Sequence, residues 1–557
     1  MKKFLAILLA ALMVLGGTAM AESDNLTYIL GWGIGGDTQG PVTGWVGDVW
    51  AKKGLQLEAI GNGNSEEKMQ AMLASGDIPD IIRFNNWDQF EIALEAGYLL
   101  CLDDYIDQLP MTQKYASNAL QFVRDLHSNG TGKLYGIPDN VGKSTSLAGN
   151  TPGCYAINVR WDVYREAGYP EAETLEDTIE VLKKMKEVYP KNADGQETYA
   201  MNMFAAWDGT NRFSFANAVL TTLGYYEGGQ NYFVNHDMKT DTVTSMFDDD
   251  GAFHRACRYL FLLNQAGLVD PDALTQEFTT SQSKMNDTKQ YFAAWWGGYP
   301  SNNKDEANAE EPIGWAPLIF GEYTASLQGN FPCGSGWPLC ISAKAADKGE
   351  DYIKACLTYV DANADPEFLY ELLNGPRGVF WDVDADGKTY ALDAAYTRAD
   401  TGSYTLASGE EYKYWNGRYT LNSTAVNTAF DNTFNETLNV YSNDNNLYKQ
   451  WAEHYGGGFE FPMDYLLAEN RVVTNPTFYQ FMPVLPDDMQ MIKDTAGAVV
   501  QQSGWKMVYA ADETEFEAIW QQMKADALAL GAEDLQKWYA EAAEAARAAA
   551  APYEYKD

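Results

Sequence analysis

Asp382-x-Asp384-x-Asp386-Gly387, with Asp393 at the twelfth position, has much of the spacing by which a calcium loop gathers oxygen ligands around one cation. It departs at the twelfth place, where glutamate is usual. Asp386-Gly387 between Trp381 and Tyr390 is also a strong hairpin turn signal. The hairpin is the preferred reading, because short motif matches carry false positives, and calcium is kept only as the alternative. The four histidines (His127, His236, His254 and His454) lie in no metal or triad spacing, and no nucleophile elbow, phosphate loop or zincin helix is present. No catalytic residue is therefore named, and the chain reads as a non-enzyme. Two carboxylates far apart in sequence could still hydrolyse a glycoside. With 78 acidic residues that alternative stays open, although most of them must be solvated surface.

The chain is rich in aromatic residues, 13% of it with 16 Trp and 35 Tyr. Trp and Tyr make flat, half-polar walls for sugar rings and peptides as well as filling cores. The candidates for contact lie in polar or glycine-containing turns. They are Trp32 and Asp37, Asn85 and Trp87, Asn140, Arg160 and Trp207, then Trp295, Trp296, Trp337, Arg377 and Trp381. The aromatics would stack on sugar faces, while Asn, Asp and Arg would bond hydroxyls or a carboxylate. For each, packing is the competing role.

These residues need elements to position them. Leu26–Leu30 reads as a strand, and the loop Gly31–Asp37 follows it. A dinucleotide site would need a helix to open at once, whereas Pro41 and Gly44 intervene. A loop at the carboxyl end of a first parallel strand is nonetheless where open α/β sheets bind ligands. Glu66–Ala74 reads as a helix ended by Gly76, Asp77–Phe84 as a buried strand, Asn85–Asp88 as a polar loop, and a second helix ends near Gly97. This alternation predicts a parallel sheet with helices on both faces.

Gly132–Asn140 carries the chain out of this first body. Lys133–Ile137 reads as a short strand that Pro138 ends, and the polar run behind it leads to a new apolar run at Cys154–Val159. Thr174 with Asp177 predicts a capping box, and the helix it opens stops at Pro190. Further helices are read over Phe253–Ala266, Pro366–Leu373 and in the C-terminal region, where Gly531 breaks a periodic run. Ile313–Phe320 reads as a strand crossing back.

A chain of 557 residues exceeds one core, so two or more lobes are expected. Lys2 and Lys3, the apolar stretch Phe4–Leu15 and Ala19-Met20-Ala21 read as an export signal cleaved after Ala21. No cysteine stands there for a lipid anchor. The mature protein is expected outside the cytoplasm, secreted or periplasmic, with no membrane insertion. A formal charge of −39 excludes nucleic acid and anionic lipid as partners. Of the six cysteines, Cys333 and Cys340 are the only close pair, and for the other four a buried, unbridged state is preferred.

Several motifs, in order, carry a resemblance. Ser75-Gly76-Asp77-Ile78-Pro79-Asp80-Ile81-Ile82, Gly132–Pro138, Asn158-Val159-Arg160-Trp161-Asp162, Gly267-Leu268-Val269-Asp270-Pro271 and Gly378–Asp384 resemble extracellular solute-binding proteins of family 1, as does Glu513–Trp520 with the helix pair after it. The likeness is greatest to the large subgroup that includes alginate- and oligosaccharide-binding proteins. The resemblance implies an α/β fold of two lobes, joined by hinge-crossing strands around a central cleft. Lobe one would hold residues 22–139 and 317–420, and lobe two 140–316 and 421–557. It implies the binding component of an ATP-driven importer, acting as a monomer that captures an oligosaccharide and delivers it to a membrane permease. A peptide or a uronate is the competing ligand. The alginate-binding relatives carry a calcium loop after the capped helix. The corresponding stretch, Lys191–Glu197, is short of carboxylates, and a plain turn is the better reading.

Overall fold

A computed structural model of the chain describes residues 26–30, 40–60, 66–139, 141–142, 156–206, 208, 212–295, 309–327, 331–334, 336–379, 381–383, 385, 389–391, 397–398, 403–405, 411–413, 446–459 and 462–554. The chain divides into two compact units, residues 1–142 with 331–435 and residues 143–330 with 436–557. Nine strands build their two main sheets: β1 (Leu26–Leu30), β2 (Gly40–Pro41), β3 (Leu55–Ala59), β4 (Ile81–Arg83), β5 (Asn158–Arg160), β6 (Tyr199–Met201), β7 (Tyr291–Ala294), β8 (Trp315–Pro317) and β9 (Leu339–Ile341).

The first unit's sheet has the order β9-β4-β1-β3-β2. β1 runs parallel to β3 and β4, while β9 and β2 are antiparallel to their neighbours, so the sheet is mixed and not the parallel one expected. β9 comes from the segment that re-enters the unit at 331, a pairing that alternation of strand and helix does not reveal. In β3, Leu55, Leu57 and Ala59 are buried and the two residues between them are exposed, as a half-covered strand requires. Only Ile81–Arg83 of the Asp77–Phe84 run is strand, and all three residues are buried. Asp80, just before β4, takes Lys348 Nζ at 2.7 Å and Tyr352 Oη at 2.5 Å, which fixes the helix Glu350–Ala362 beneath the sheet. Trp50 stacks on Tyr359 at 4.7 Å and meets Phe368 edge-on at 4.6 Å, so residues far apart in sequence share this core.

In the second unit the order is β8-β5-β7-β6, with β6 parallel to β7 and the other pairs antiparallel. Because β8 pairs with β5, the Ile313–Phe320 run stays in this unit. The return to the first unit comes at 331 and not at 317. The capping box forms: Asp177 N–H donates to Thr174 Oγ1 at 3.2 Å and Thr174 N–H to Asp177 Oδ2 at 2.9 Å. Asp270, in the Gly267–Pro271 motif, is buried and accepts from Tyr291 Oη and from Lys284 Nζ at 2.8 Å, a structural role. Helices Asp487–Val508, Glu513–Ala529 and Ala532–Ala550 close the unit. No helix among the described residues is long and apolar enough to cross a membrane.

Residues 133–137 form no strand; Ile137 alone makes a bridge, to Leu339. Cys333 and Cys340 are both buried, free thiols, as are Cys257 and Cys356, and Cys101 is free and half-buried. Burial pushes the Cys333 and Cys356 thiols up to about 12, which keeps them protonated and unreactive. Cys154 lies outside the described residues. The strands Trp381–Val383 and Thr389–Ala391 pair antiparallel, in keeping with the hairpin reading, while Asp386 and Gly387 themselves lie outside the described residues.

A buried histidine gives the second unit a pH dependence. His236 Nε2 lies 2.8 Å from Asp241 Oδ1 and its Nδ1 2.7 Å from Tyr479 Oη, which in turn lies 2.6 Å from Tyr539 Oη. Burial lowers the His236 pKa below its ordinary 6.5, opposed by Asp241 and Asp237 and assisted by Arg547. A lowered value means stability present above pH 6.5 and lost as the pH falls from there through the folded-state value. The urea midpoint should therefore drop between pH 7 and pH 5, and the drop should shrink in His236→Gln. An equal drop in the variant would assign it to other groups.

Candidate functional site

β4 ends on Arg83, and three segments meet at that carboxyl end. The first is its own continuation: Phe84 N–H donates to Pro338 O at 3.1 Å, and Asn86 caps the next helix by accepting from Gln89 N–H at 2.9 Å. Trp87 is thus the first residue of the helix Trp87–Glu95 and not part of a loop, as the polar run had suggested. The second segment leaves the unit at 137–142 and the third re-enters it at 331–338. These two bond to each other, with Ile137 paired to Leu339, Gly142 to Phe331, and Asp139 N–H donating to Gly336 O at 3.1 Å. At Gly334, φ is +80° and a Cβ would lie 2.5 Å from Pro138 Cβ and 2.7 Å from Asp139 O, so only glycine lets the two pass this closely.

At the centre is a buried ion pair. Arg83 Nη2 lies 2.6 Å from Asp139 Oδ2, and both side chains are at most 4% exposed. Burial draws the Arg83 pKa below its ordinary value and Asp139 opposes the shift; an arginine keeps its charge regardless. The guanidinium lies 4.3 Å from the Trp337 ring centroid. Trp337 is 39% exposed, so this ring is held from within the unit and offers the rest of its surface outward. Its φ is +46°, a left-handed conformation rare for so large a side chain. Such strain persists only where the surroundings over-determine it, and it clusters at ligand sites.

Trp87 is half-buried nearby: a Cβ built on Gly336, the residue before Trp337, would lie 4.0 Å from its Nε1. Its ring stacks on His127 at 3.7 Å and 8°, and meets Phe90 and Phe122 edge-on at 5.4 and 5.9 Å. Asn85, half-buried between Arg83 and Trp87, donates its backbone N–H to Gln89 Oε1 at 2.9 Å. Three of the expected contacts, Asn85, Trp87 and Trp337, therefore share one end of one sheet. Chemically this is a stacking platform with amide groups beside it, rigid because its cation is fixed underneath.

The other expectations fare differently. Trp295 is fully buried among Phe215 and Tyr259, and Trp381 is fully buried with Nε1 donating to Gly375 O at 2.8 Å. Neither has a face for a ligand; both are core residues. Arg160 is buried and gives two bonds to Asp162, at 2.9 and 2.5 Å; burial would lower its pKa, but Asp162 outweighs this and raises it. Arg377 pairs with Glu367 at 2.7 Å and Asp382 at 2.9 Å. Both arginines are already paired with carboxylates of the chain, and Asp382, the first residue of the alternative calcium motif, is one of those partners. Trp32, Asp37, Asn140, Trp207 and Trp296 lie outside the described residues.

The sequence reading missed Arg83, Asp139 and His127. An arginine in an otherwise apolar strand, Ile81-Ile82-Arg83-Phe84, was the available signal, since a buried cation demands a partner. It also missed Asp208, next to Trp207. Asp208 is buried, with Oδ2 accepting from Trp505 Nε1 at 2.6 Å and Oδ1 from Ser214 N–H at 2.8 Å, and burial raises its pKa.

No family model matches the sequence, and no curated protein matches it. Solved structures do match. An ABC-transporter substrate binding protein of S. pneumoniae, FusA, in complex with kestose, is 12% identical with a TM-score of 0.55, over 94% of this chain and 100% of that one. An ABC-transporter associated solute binding protein of Bifidobacterium longum infantis, which binds HMO, is 16% identical with a TM-score of 0.54, over 92% and 98%. An EF-hand mutant of FusA, in complex with fructo-nystose, is 13% identical with a TM-score of 0.53, over 93% and 99%. The fold is that of the ABC-transporter solute-binding proteins. The two-unit α/β architecture belongs to that fold.

Proposed function

We propose that this chain is the binding component of an ATP-driven importer, capturing an oligosaccharide and delivering it to a membrane permease, with no chemistry of its own. The observation that carries the reading is Trp337, an exposed tryptophan in a left-handed backbone conformation, seated on a buried Arg83–Asp139 pair beside Trp87. A rigid aromatic platform is what a sugar ring needs, and the sugar complexes of a similarly folded protein support the same ligand class. Ligand on this platform would favour the conformation that binds it better and shift the population toward it, and that form would engage the permease. The reading places the protein outside the cytoplasm, exported by Lys2–Ala21 and cut after Ala21.

A neutral oligosaccharide fits better than a uronate. Arg83, Arg160 and Arg377, the arginines at candidate positions among the described residues, are each neutralised by a carboxylate, and the chain carries −39 overall. A thermal-shift screen of neutral oligosaccharides, uronates and peptides tests this. A ligand at a hundred times its Kd should add about 2.7 kcal/mol of stability, with the neutral sugars giving the shift and chromatography showing them uncleaved. Stabilisation by peptides alone, or consumption of the sugar, would overturn the proposal.

A further inference from the structure

An EF-hand is named for the similarly folded S. pneumoniae protein, and the resemblance to alginate-binding proteins puts a calcium loop after the capped helix. In this chain that place is the turn Lys191–Glu197, between the helix Asp177–Val188 and β6. Its residues do not fit a cation. A calcium site turns six to eight oxygens inward at about 2.3–2.6 Å. Here the turn points amide hydrogens inward. Asn192 is buried, and its Oδ1 accepts from the backbone N–H of Asp194 at 3.1 Å and of Gln196 at 2.8 Å. Its Nδ2 donates to Gln196 Oε1 at 2.8 Å and to Thr288 O at 2.7 Å. The backbone closes over this with Asn192 N–H to Gln196 O at 2.9 Å and Gly195 N–H to Asn192 O at 3.0 Å. The carboxylates at hand, Asp194 and Glu197, are exposed, and Glu197 lies 3.9 Å from Lys191 Nζ. A ring of N–H dipoles directed at one oxygen already bonded twice has the wrong polarity for a metal ion.

We propose that Asn192 takes the place of the metal in this chain, so that the turn is formed and held without calcium. The side chain gathers the turn as an ion would, but through hydrogen bonds of opposite sense. It also reaches out of the turn: Thr288 lies just before β7, and Tyr199 N–H at the start of β6 donates to Gln290 O at 2.9 Å. Asn192 therefore helps set the parallel register of β6 against β7, in which Tyr199 faces Tyr291.

Hydrogen exchange of the full chain, followed at the Asp194 and Gln196 amides in EDTA and then in millimolar calcium, tests this. Both amides should be protected in EDTA and unchanged by calcium. Asn192→Ala should speed their exchange by about tenfold or more, the equivalent of one lost hydrogen bond. Fast exchange in EDTA, or any slowing of these amides on adding calcium, would overturn the proposal. If Asn192→Ala fails to fold, the comparison on the unaltered chain decides by itself.

Discussion

Replacing Trp337 with alanine is expected to weaken ligand binding roughly thirty-fold, about 2 kcal/mol, with little change in stability. The reason lies in how the ring is held. Its contact with Arg83 contributes about 0.5–1 kcal/mol at a partly exposed site, and the left-handed backbone costs about 1–2 kcal/mol in a residue with a Cβ. Alanine keeps the strain and loses the contact, a change of about 0.5–1 kcal/mol, whereas glycine loses the strain as well, so that its two changes nearly offset. Trp337→Gly sharpens the test, because glycine adopts a φ of +46° without strain: its thermal midpoint should equal or exceed that of the unaltered chain while its affinity falls equally. Titration calorimetry with the sugar found in the screen, beside melting curves, reads both quantities. Undiminished affinity in both variants would remove Trp337 from the site, and loss of folding in both would make it a packing residue.

Arg83→Ala should have the largest effect on stability, a loss of about 3–5 kcal/mol, because it strands the Asp139 carboxylate in the interior. Only the buried partner makes the loss this large. Replacing both members with apolar residues, Arg83→Met with Asp139→Leu, should recover most of it. Urea unfolding monitored on the first unit measures the difference. A single variant within about 0.5 kcal/mol of the unaltered chain would mean that the pair is solvated and that Trp337 stands on nothing rigid.

Local elements were well marked in the sequence because their signals are local. Thr174 with Asp177 announces its own cap, Gly76, Gly97, Gly267 and Gly531 end their helices with positive φ, and Leu26–Leu30 reads as the strand it is. Pairing was not marked. Nothing near Leu339 says that it will lie antiparallel to Arg83, and nothing in Trp315–Pro317 says that it will stay beside Asn158–Arg160. The site was half legible for the same reason. Aromatic residues in turns could be picked out, but Trp295 and Trp381 satisfy the same criterion as Trp337 and are wholly enclosed. What separates them is the surroundings that the fold assembles, and the residues that decide it, Arg83 and Asp139, lie 56 positions apart. The order of motifs along the chain carried the fold further than any single motif did.

The departure of the chain from the first unit at 142 and its return at 331 have a consequence for the order in which the protein can be made. When residue 142 has been synthesised, β4 still lacks β9 at its flank, and Trp50 lacks Tyr359 and Phe368. The whole middle of the chain, 143–330, must emerge before those partners exist. Long closures of this kind are slow to form, so the N-terminal half-unit should wait unfinished, and the second unit waits in turn for residues 436–557, which bring Trp451, Trp505 and Trp520 to its core. The segment that completes the first unit would bring Trp337 with it, so the ring proposed to meet the ligand would be set in place only when the nascent polypeptide is more than half complete.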